Sequence, residues 1–325
     1  MPVRSLPLIL SIALTCIGMG QSQPNRDSLT LSRVGDFSVP YGPKSLRFSP
    51  DGKVVAVDCL YGHKVVLVDP GTRKITAEIP VGGEPVECSF SPDSRFLWVS
   101  LYNKAKVLQI DLSSQKIISQ VWVGKVPKVV EVSPNGKWLY VANWESGTVN
   151  VIDTATSKVV RTIRAGRIPR GVAFTHDSKW AYLAVMGSTQ VLKVDVEQNH
   201  RVIGPITVGI TPRHLQIDPQ DRFMYVSNNL AGTISKVDLS ARKVTARVHV
   251  GKRPRTIALS PDGTALYICR YDDSKLGVVD VARMKQVHVY ATRTHPIGVT
   301  VSPDGHSVWV SSYRTSTIRV FDVKP

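Results

Sequence analysis

Five cationic side chains recur at one place in the sequence, immediately after a proline that repeats every 42 or 43 residues. They are Lys44, Lys128, Arg170, Arg213 and Arg255, and Val86 and Ile297 take this place after the two remaining prolines. A guanidinium presents a planar fork of donors and an ammonium a compact charge, and both bind carboxylate, sulfate or phosphate oxygens. The spacing therefore predicts a group of cations that binds an anionic ligand.

Aromatic residues recur at a second place, 17 residues after the same prolines: Tyr102, Trp144, Tyr271 and Tyr313. Interleaved cations and aromatic rings can bind a polyanion such as single-stranded nucleic acid through phosphate contacts and base stacking. The structural alternative is that the charges are solvated loop tips and that each aromatic ring packs over the loop below it.

The sequence contains no constellation typical of a catalytic, metal or cofactor site. Its eight histidines form no HxH or HExxH pattern, and neither GxGxxG nor a P-loop is present. We therefore expect no catalytic residues, no metal and no cofactor. The enzymatic alternative is a lyase or lactonase in which His214, with Glu131, acts as the base and the cations hold a substrate carboxylate.

These residues must be positioned by a repeated unit. A turn signal recurs seven times from Ser49-Pro50-Asp51-Gly52 to Ser302-Pro303-Asp304-Gly305, in step with the prolines. A third marker keeps the same step, an aspartate at the end of an alternating apolar run: Asp69, Asp111, Asp153, Asp195, Asp238, Asp280 and Asp322. Each aspartate is predicted to cap the turn that follows it. Three markers in phase indicate seven copies of one unit.

Each unit reads as four short strands, for example 129–132, 138–142, 148–153 and 159–164 in the third unit, and no stretch has a helical period. Four strands in about 42 residues are typical of one blade of a β-propeller. We predict an all-β, seven-bladed β-propeller with four-stranded blades.

Closure of the ring is also predicted. The last unit ends after its third strand, and residues 31–39 resemble a spare fourth strand, with Leu31, Arg33, Gly35, Phe37 and Val39 on one side. An N-terminal strand that completes the last blade would hide two sheet edges.

The motifs resemble the YVTN family of β-propeller repeats. The tetrad that gives the family its name is present as Tyr140-Val141-Ala142-Asn143 and Tyr225-Val226-Ser227-Asn228, and Val-Gly precedes several marker prolines, as in Val123-Gly124. The resemblance covers Leu31 to Pro325 and implies the propeller fold. It implies no single function, because similar proteins include surface-layer proteins, binding proteins, nucleic-acid binders and enzyme subunits.

The charge of the chain is unevenly distributed over the predicted ring. The formal net charge is +16. In a propeller blade, the loop before the first strand and the loop between the second and third strands share one face, which we call the mouth face. That face carries about fifteen Lys and Arg against about four carboxylates, whereas the opposite turns are about balanced.

The amino terminus predicts export. Residues 1–20 combine Arg4, an apolar run and the small residues Gly18 and Gly20, as in a signal peptide, and the run is too short for a good membrane span. We therefore predict a signal peptide (1–20), a linker (21–30) and a propeller (31–325), with no transmembrane span in the mature chain and a periplasmic or secreted location. Cys16 leaves a lipid anchor as the second choice. The remaining cysteines, Cys59, Cys88 and Cys269, are predicted to be buried as small apolar side chains.

These features together predict an exported binding module that docks an anionic partner on its basic mouth face, with single-stranded nucleic acid as the leading case. One alternative is an interaction scaffold for an acidic protein or an envelope glycan. The other is the lyase or lactonase described above.

Overall fold

The structure is a computed structural model that describes residues 29–324. The predicted signal peptide, Cys16 and the linker as far as residue 28 lie outside the described residues. Residues 29–324 contain no helix that could cross a membrane.

The described chain consists of short antiparallel strands joined by turns. The strands are β1 Leu31–Ser38; in blade 1 β2 Pro43–Phe48, β3 Val55–Cys59, β4 Lys64–Val68 and β5 Ile75–Pro80; in blade 2 β6 Pro85–Phe90, β7 Phe96–Leu101, β8 Lys106–Asp111 and β9 Lys116–Trp122; in blade 3 β10 Pro127–Val132, β11 Trp138–Asn143, β12 Thr148–Asp153 and β13 Lys158–Arg164; in blade 4 β14 Pro169–Phe174, β15 Trp180–Val185, β16 Gln190–Asp195 and β17 Arg201–Thr207; in blade 5 β18 Pro212–Ile217, β19 Phe223–Asn228, β20 Thr233–Asp238 and β21 Lys243–His249; in blade 6 β22 Pro254–Leu259, β23 Ala265–Arg270, β24 Lys275–Asp280 and β25 Lys285–Ala291; and in blade 7 β26 Pro296–Val301, β27 Ser307–Ser312 and β28 Thr317–Val323.

Seven four-stranded sheets confirm the predicted seven-bladed propeller. Six blades are built from four consecutive strands each, and the seventh has the order β26-β27-β28-β1, which confirms closure by the N-terminal strand. β1 pairs antiparallel with β28, from Leu31 opposite Val323 to Ser38 opposite Thr317. No blade can hide both of its faces alone, and the ring solves this by packing each sheet against the next.

The predicted alternation along β1 is wrong. The register shifts between Arg33 and Gly35, so the two halves of the strand face opposite sides. Leu31 packs in the core between blades 6 and 7, whereas Phe37 and Val39 pack in the core between blades 7 and 1. A β-bulge adds one residue to one strand and reverses the alternation of sides beyond it.

Aromatic residues on the second strand of most blades fill the space between neighbouring blades. Six of them are almost completely buried: Trp98, Tyr140, Tyr182, Tyr225, Tyr267 and Trp309. Trp98, for example, packs against Val130 and Val132 of the next blade. Full burial of such a side chain contributes about 2 kcal/mol. The same position in blade 1 is Ala56, and there Leu97 and other residues of blade 2 fill the core.

Six of the seven aspartates in the series cap turns, as predicted, and Asp322 does not. Asp69, Asp111, Asp153, Asp195, Asp238 and Asp280 each accept a hydrogen bond from the backbone N–H three residues on, at 2.7–3.0 Å. Asp322 lies inside β28, so no turn follows it. Cys59, Cys88 and Cys269 are buried free thiols, which confirms the expectation for the described cysteines.

Candidate functional site

Seven equivalent hydrogen bonds join two sets of loops on one face of the ring. In each blade the N–H of the residue 17 positions after the marker proline donates to the carbonyl of the residue just before that proline, at 2.8–3.4 Å. In blade 3, Trp144 donates to Val126 at 2.9 Å. The loops before the inner strands therefore meet the turns between second and third strands, and together they form the mouth face.

The residue before the marker proline has a left-handed backbone in most blades. Three of these residues are β-branched, Val126, Ile168 and Thr211, with φ values of +58°, +61° and +60°. Such a conformation costs on the order of 1–3 kcal/mol and persists only where the surroundings hold it. The hydrogen bond to its carbonyl supplies part of that hold. The strained residue lies two positions before the predicted cation and sets the direction in which the chain enters the inner strand.

The five predicted cations, which we call the cation ring, each occupy the second position of an inner strand: Lys44 on β2, Lys128 on β10, Arg170 on β14, Arg213 on β18 and Arg255 on β22. Arg170 and Arg213 are only 5% and 8% exposed. Burial holds the pKa of Lys44 well below its usual range, and the charges of the other four ring members lower it further. The five charges therefore surround one point at the mouth of the channel.

Only Arg170 of the cation ring has an ion-pair partner among residues 29–324. Its Nη2 lies 3.6 Å from Oε2 of Glu87. Burial lowers the pKa of Lys128 to about 7, and the nearby charges of Arg170 and Arg213 act in the same direction. The Arg170 Nη1 and Arg255 Nε atoms are buried without a hydrogen-bond partner. Buried charge without compensation is costly, and a bound anion would remove that cost.

Cations farther from the axis differ from the ring because several of them are paired. Examples on the mouth face are Lys125–Glu145 at 3.8 Å, Arg253–Asp272 at 3.3 Å and Arg293–Asp36 at 2.8 Å. The first two pairs are exposed and contribute little to stability. The excess positive charge of the mouth face is therefore least compensated at the cation ring.

The predicted aromatic residues lie directly beside the ring. The Lys128 Nζ atom is 3.7 Å from the centroid of Tyr102 and 4.9 Å from that of Trp144. The Arg255 guanidinium carbon lies 3.4 Å from the Tyr271 centroid. The remaining predicted aromatic, Tyr313, is 4.8 Å from the Nζ of Lys44. Cation–π attraction holds these charges in place without neutralising them.

A cavity of about 370 Å³ lies on the axis below the ring. Inner-strand residues line it, among them Ser45, Glu87, Glu131, His214 and Gln216, and prolines of the opposite turns line its far end. His214 and Glu131, considered above as a catalytic pair, thus share one cavity.

Neither residue of that pair is placed to act as an effective general base. Burial, together with Arg170, Arg47 and Arg213, lowers the pKa of His214 to about 3, and its Nδ1 is buried without a partner. Glu131 accepts two hydrogen bonds from Arg47, at 2.9 and 2.7 Å. The imidazole is therefore a weakly basic neutral group and the carboxylate is already paired.

Asp58 is a buried group that the sequence analysis missed. It is completely buried on β3 and accepts a hydrogen bond from the Ser45 hydroxyl. Burial raises the pKa of Asp58 to about 7. The sequence does mark Asp58 as unusual, because no other blade has a carboxylate at this position. The equivalent residues are small or cysteine: Ser100, Ala142, Ala184, Ser227, Cys269 and Ser311.

Within residues 29–324, no group of three or more His, Cys, Asp or Glu side chains could hold a metal ion. The site is therefore described by its cations, its aromatic rings and the cavity beneath them.

The family described as Lactonase, 7-bladed beta-propeller matches residues 88–325. The resemblance to YVTN repeats stays a prediction from the motifs. No curated protein matches the sequence.

Two solved structures illustrate the likeness in fold. Hydrazine synthase of Kuenenia stuttgartiensis has a TM-score of 0.81 and 23% identity, over 94% of this chain and 99% of that chain. The β-propeller domain of Cps50 (Swd1) of Myceliophteria thermophila has a TM-score of 0.78 and 15% identity, over 91% of this chain and 100% of that one. At these identities the likeness shows the fold alone.

Proposed function

The chain belongs to the seven-bladed β-propeller lactonase family, and from that premise we propose that it is an anion-binding module whose cation ring holds an oxyanion group of its partner. Membership fixes the architecture but not the activity, because one fold hosts many functions. The proposal rests on one observation: four of the five ring cations have no ion-pair partner among the described residues.

The electrostatics of the ring support an anionic partner. Burial is the main reason why the pKa values of Lys44, Lys128 and Arg213 fall below their usual ranges, and the charges of other ring members lower them further. An oxyanion among these groups would reverse that repulsion and would accept hydrogen bonds from guanidinium atoms that now lack partners. The arrangement stores unfavourable charge repulsion that binding can release.

The contacts between the aromatic residues and the ring cations indicate that the aromatic residues orient the cations. A ring cation covers one face of Tyr102, Trp144, Tyr271 and Tyr313, so that face is closed to a stacking ligand. We infer that the contact between the partner and this part of the mouth is electrostatic. Phosphate of single-stranded nucleic acid is the leading case, and carboxylates of an acidic protein or sulfates of an envelope glycan use the same chemistry.

The test is a titration of the protein, starting at Gln21, with an oligonucleotide, heparin and polyglutamate at two salt concentrations. We expect binding that weakens steeply with salt. The combined variant Lys44→Met, Lys128→Met, Arg213→Met and Arg255→Met should lose it, and this set leaves the Arg170–Glu87 pair intact.

A matched control removes the same charge from the same face. The residues Lys104, Arg167, Lys252 and Arg314 are exposed, and their replacement by methionine should leave most of the affinity. If both sets of variants bound all three polyanions as well as the wild type, the proposal would be wrong.

The family name favours lactone hydrolysis as a second candidate function. In that case the ring would hold a substrate carboxylate or phosphate, and the reacting bond would lie in the cavity beside His214. Turnover on a lactone panel that disappears in His214→Gln would support it. The weak basicity of His214 and the pairing of Glu131 make it the less favoured candidate.

We also propose that the protein acts outside the cytoplasm, on the strength of its N-terminal sequence. Mass spectrometry of the protein purified from its native cell should find a chain that begins at Gln21.

A further inference from the structure

Three tyrosines form a connected cluster on the mouth face, across the junction of blades 7 and 1. The Tyr41 and Tyr61 centroids are 5.2 Å apart with an interplanar angle of 32°, and those of Tyr61 and Tyr313 are 5.7 Å apart. The Tyr313 hydroxyl donates to that of Tyr61 at 2.7 Å. Tyr41 is 56% exposed and Tyr61 44% exposed. Two adjoining rings thus present aromatic surface to solvent.

This aromatic surface is a local departure from the repeat. The positions equivalent to Tyr41 are Gly83, Lys125, Arg167, Ile210, Lys252 and Thr294, and those equivalent to Tyr61 are Asn103, Glu145, Gly187, Leu230, Asp272 and Arg314. Six blades therefore have no aromatic residue at either position. The propeller architecture does not require these rings, because the other blades form the same turns without them.

The local backbone holds the cluster in place. Gly42 has φ +77°, and a Cβ there would lie 2.9 Å from Cδ2 of Tyr61, so the ring packs directly on the glycine. The N–H of Gly62 donates to the carbonyl of Tyr41 at 2.9 Å. Rings fixed in this way lose little freedom when a ligand stacks on them.

The cluster is continuous with the cation ring. Lys44 Nζ lies 4.8 Å from the centroid of Tyr313, which in turn is hydrogen-bonded to Tyr61. An oxyanion held at Lys44 therefore has exposed aromatic surface beside it. Aromatic pairs prefer offset or tilted arrangements with centroids 4.5–7 Å apart, and a further ring on Tyr41 and Tyr61 would extend such a series.

We propose that Tyr41 and Tyr61 bind a planar aromatic ring of the ligand whose oxyanion is held by the cation ring, which makes the ligand an anion bearing an aromatic ring. This inference rests on the proposed function and narrows its ligand class. The ring can be a nucleobase or the aryl group of an aromatic acid, and the experiment separates these two sources.

The experiment compares matched pairs of phosphate esters by isothermal titration calorimetry. Methyl phosphate and phenyl phosphate differ by an aryl ring, and ribose 5-phosphate and AMP differ by a nucleobase. We expect a gain in affinity of about tenfold for the ring-bearing member of at least one pair. A gain with AMP alone indicates a nucleobase, and a gain with phenyl phosphate alone indicates an aryl acid.

Variants locate the gain. Tyr61→Leu and the double variant with Tyr41→Leu should bind the ring-bearing esters no better than the ring-free ones, while methyl phosphate affinity is unchanged. Trp122→Leu is the matched control, since Trp122 is an exposed aromatic residue on the outer strand β9 beside Lys106. It should keep the full gain. Far-UV circular dichroism checks that each variant is folded.

Two results separate the failure of this inference from failure of the proposed function. Equal binding of both members of each pair by the wild type, or a gain that survives Tyr61→Leu, overturns the aromatic subsite alone. Absence of binding of all four esters overturns the aromatic subsite alone if the quadruple cation-ring variant still loses polyanion binding, and it overturns both proposals if that variant binds the polyanions as well as the wild type.

Discussion

Asp36 on the first strand accepts two hydrogen bonds from the guanidinium of Arg319 on the last strand, each at 2.7 Å, across 283 positions of sequence. Both side chains are nearly buried. Arg319 also donates to the carbonyl of Ala291 at 2.8 Å, which joins the seam of blade 7 to blade 6. The ion pair thus supports closure of the ring where its two ends meet.

Asp36→Asn should lower the free energy of unfolding by about 3 kcal/mol at pH 7, because it leaves a buried guanidinium without its charge partner. Hydrogen bonds from Arg319 hold the pKa of Asp36 below its usual range, so its contribution is present above about pH 4 and is lost as pH falls further. Urea titrations at pH 7 and pH 3 would measure both effects. Arg33→Ala, which removes only an exposed partner at 3.3 Å, should cost less than about 1 kcal/mol; an equal loss in both variants would contradict the prediction.

Lys128→Met should stabilise the protein by about 1 kcal/mol at pH 6.5, even after the loss of its cation–π contacts. Burial lowers the pKa of Lys128 to about 7, so the unfolded state binds more protons between pH 7 and about 10. Wild-type stability should therefore rise with pH in this window through this group, and the advantage of the variant should vanish near pH 10. Urea titrations at pH 6.5 and 9.5 test this, with the exposed Lys104→Met as the control. A variant less stable than the wild type at pH 6.5 would refute the prediction.

Sulfate should bind about tenfold more weakly at pH 9 than at pH 6, because Lys128 loses its proton in between. Sulfate keeps its charge across this range, so the change reports on the protein. Binding at pH 7.5 should draw a proton onto the ring, since a bound anion raises the pKa of a neighbouring ammonium. Calorimetry in two buffers of different ionisation enthalpy measures that uptake. Identical heats in both buffers, or an affinity independent of pH, would count against the site.

Glu87→Gln should strengthen sulfate binding about tenfold while it destabilises the fold by about 3 kcal/mol. The change removes the one carboxylate paired with the ring, which raises the positive potential at the mouth. It also leaves buried Arg170 without its partner. The control is Glu145→Gln, at an exposed carboxylate of the same face. It should change sulfate affinity by less than about twofold and stability by less than about 1 kcal/mol. Weaker sulfate binding in Glu87→Gln would place the anion elsewhere.

The architecture could be predicted from the sequence because every blade repeats the same local rules. Turn residues, marker prolines and capping aspartates act within a few residues of one another, so their spacing carries the information. The place of the cations could also be predicted, because the inner strand of each blade begins at the marker proline and the next residue therefore has the same place in every blade. The spacing of the prolines alone therefore predicts that Lys128 and Arg213 face one mouth.

Contacts between blades could not be predicted in the same way. Arg47 and Glu131 form a bidentate pair although 84 positions separate them. They occupy the same position of the inner strand in blades 1 and 3, but the residue at this position differs from blade to blade, so the repeat does not indicate the pair. The bulge between Arg33 and Gly35 depends on how β1 fits an existing sheet. The Tyr41–Tyr61 surface was missed because a repeat pattern shows what the blades share and hides what one blade has alone.

The tyrosine cluster spans the joint between the start and the end of the chain, because Tyr61 comes from blade 1 and Tyr313 from blade 7. During synthesis β1 stays unpaired until residues 317–323 of β28 have been made. Only then can Tyr61 contact Tyr313. A ligand stacked on Tyr61 would stabilise its contact with Tyr313, and it would thereby slow the separation of the first strands of the chain from the last ones. A ligand bound at the mouth should therefore slow unfolding of the native protein. A truncated or proteolytically cleaved chain should lose ligand binding while its blades are still folded.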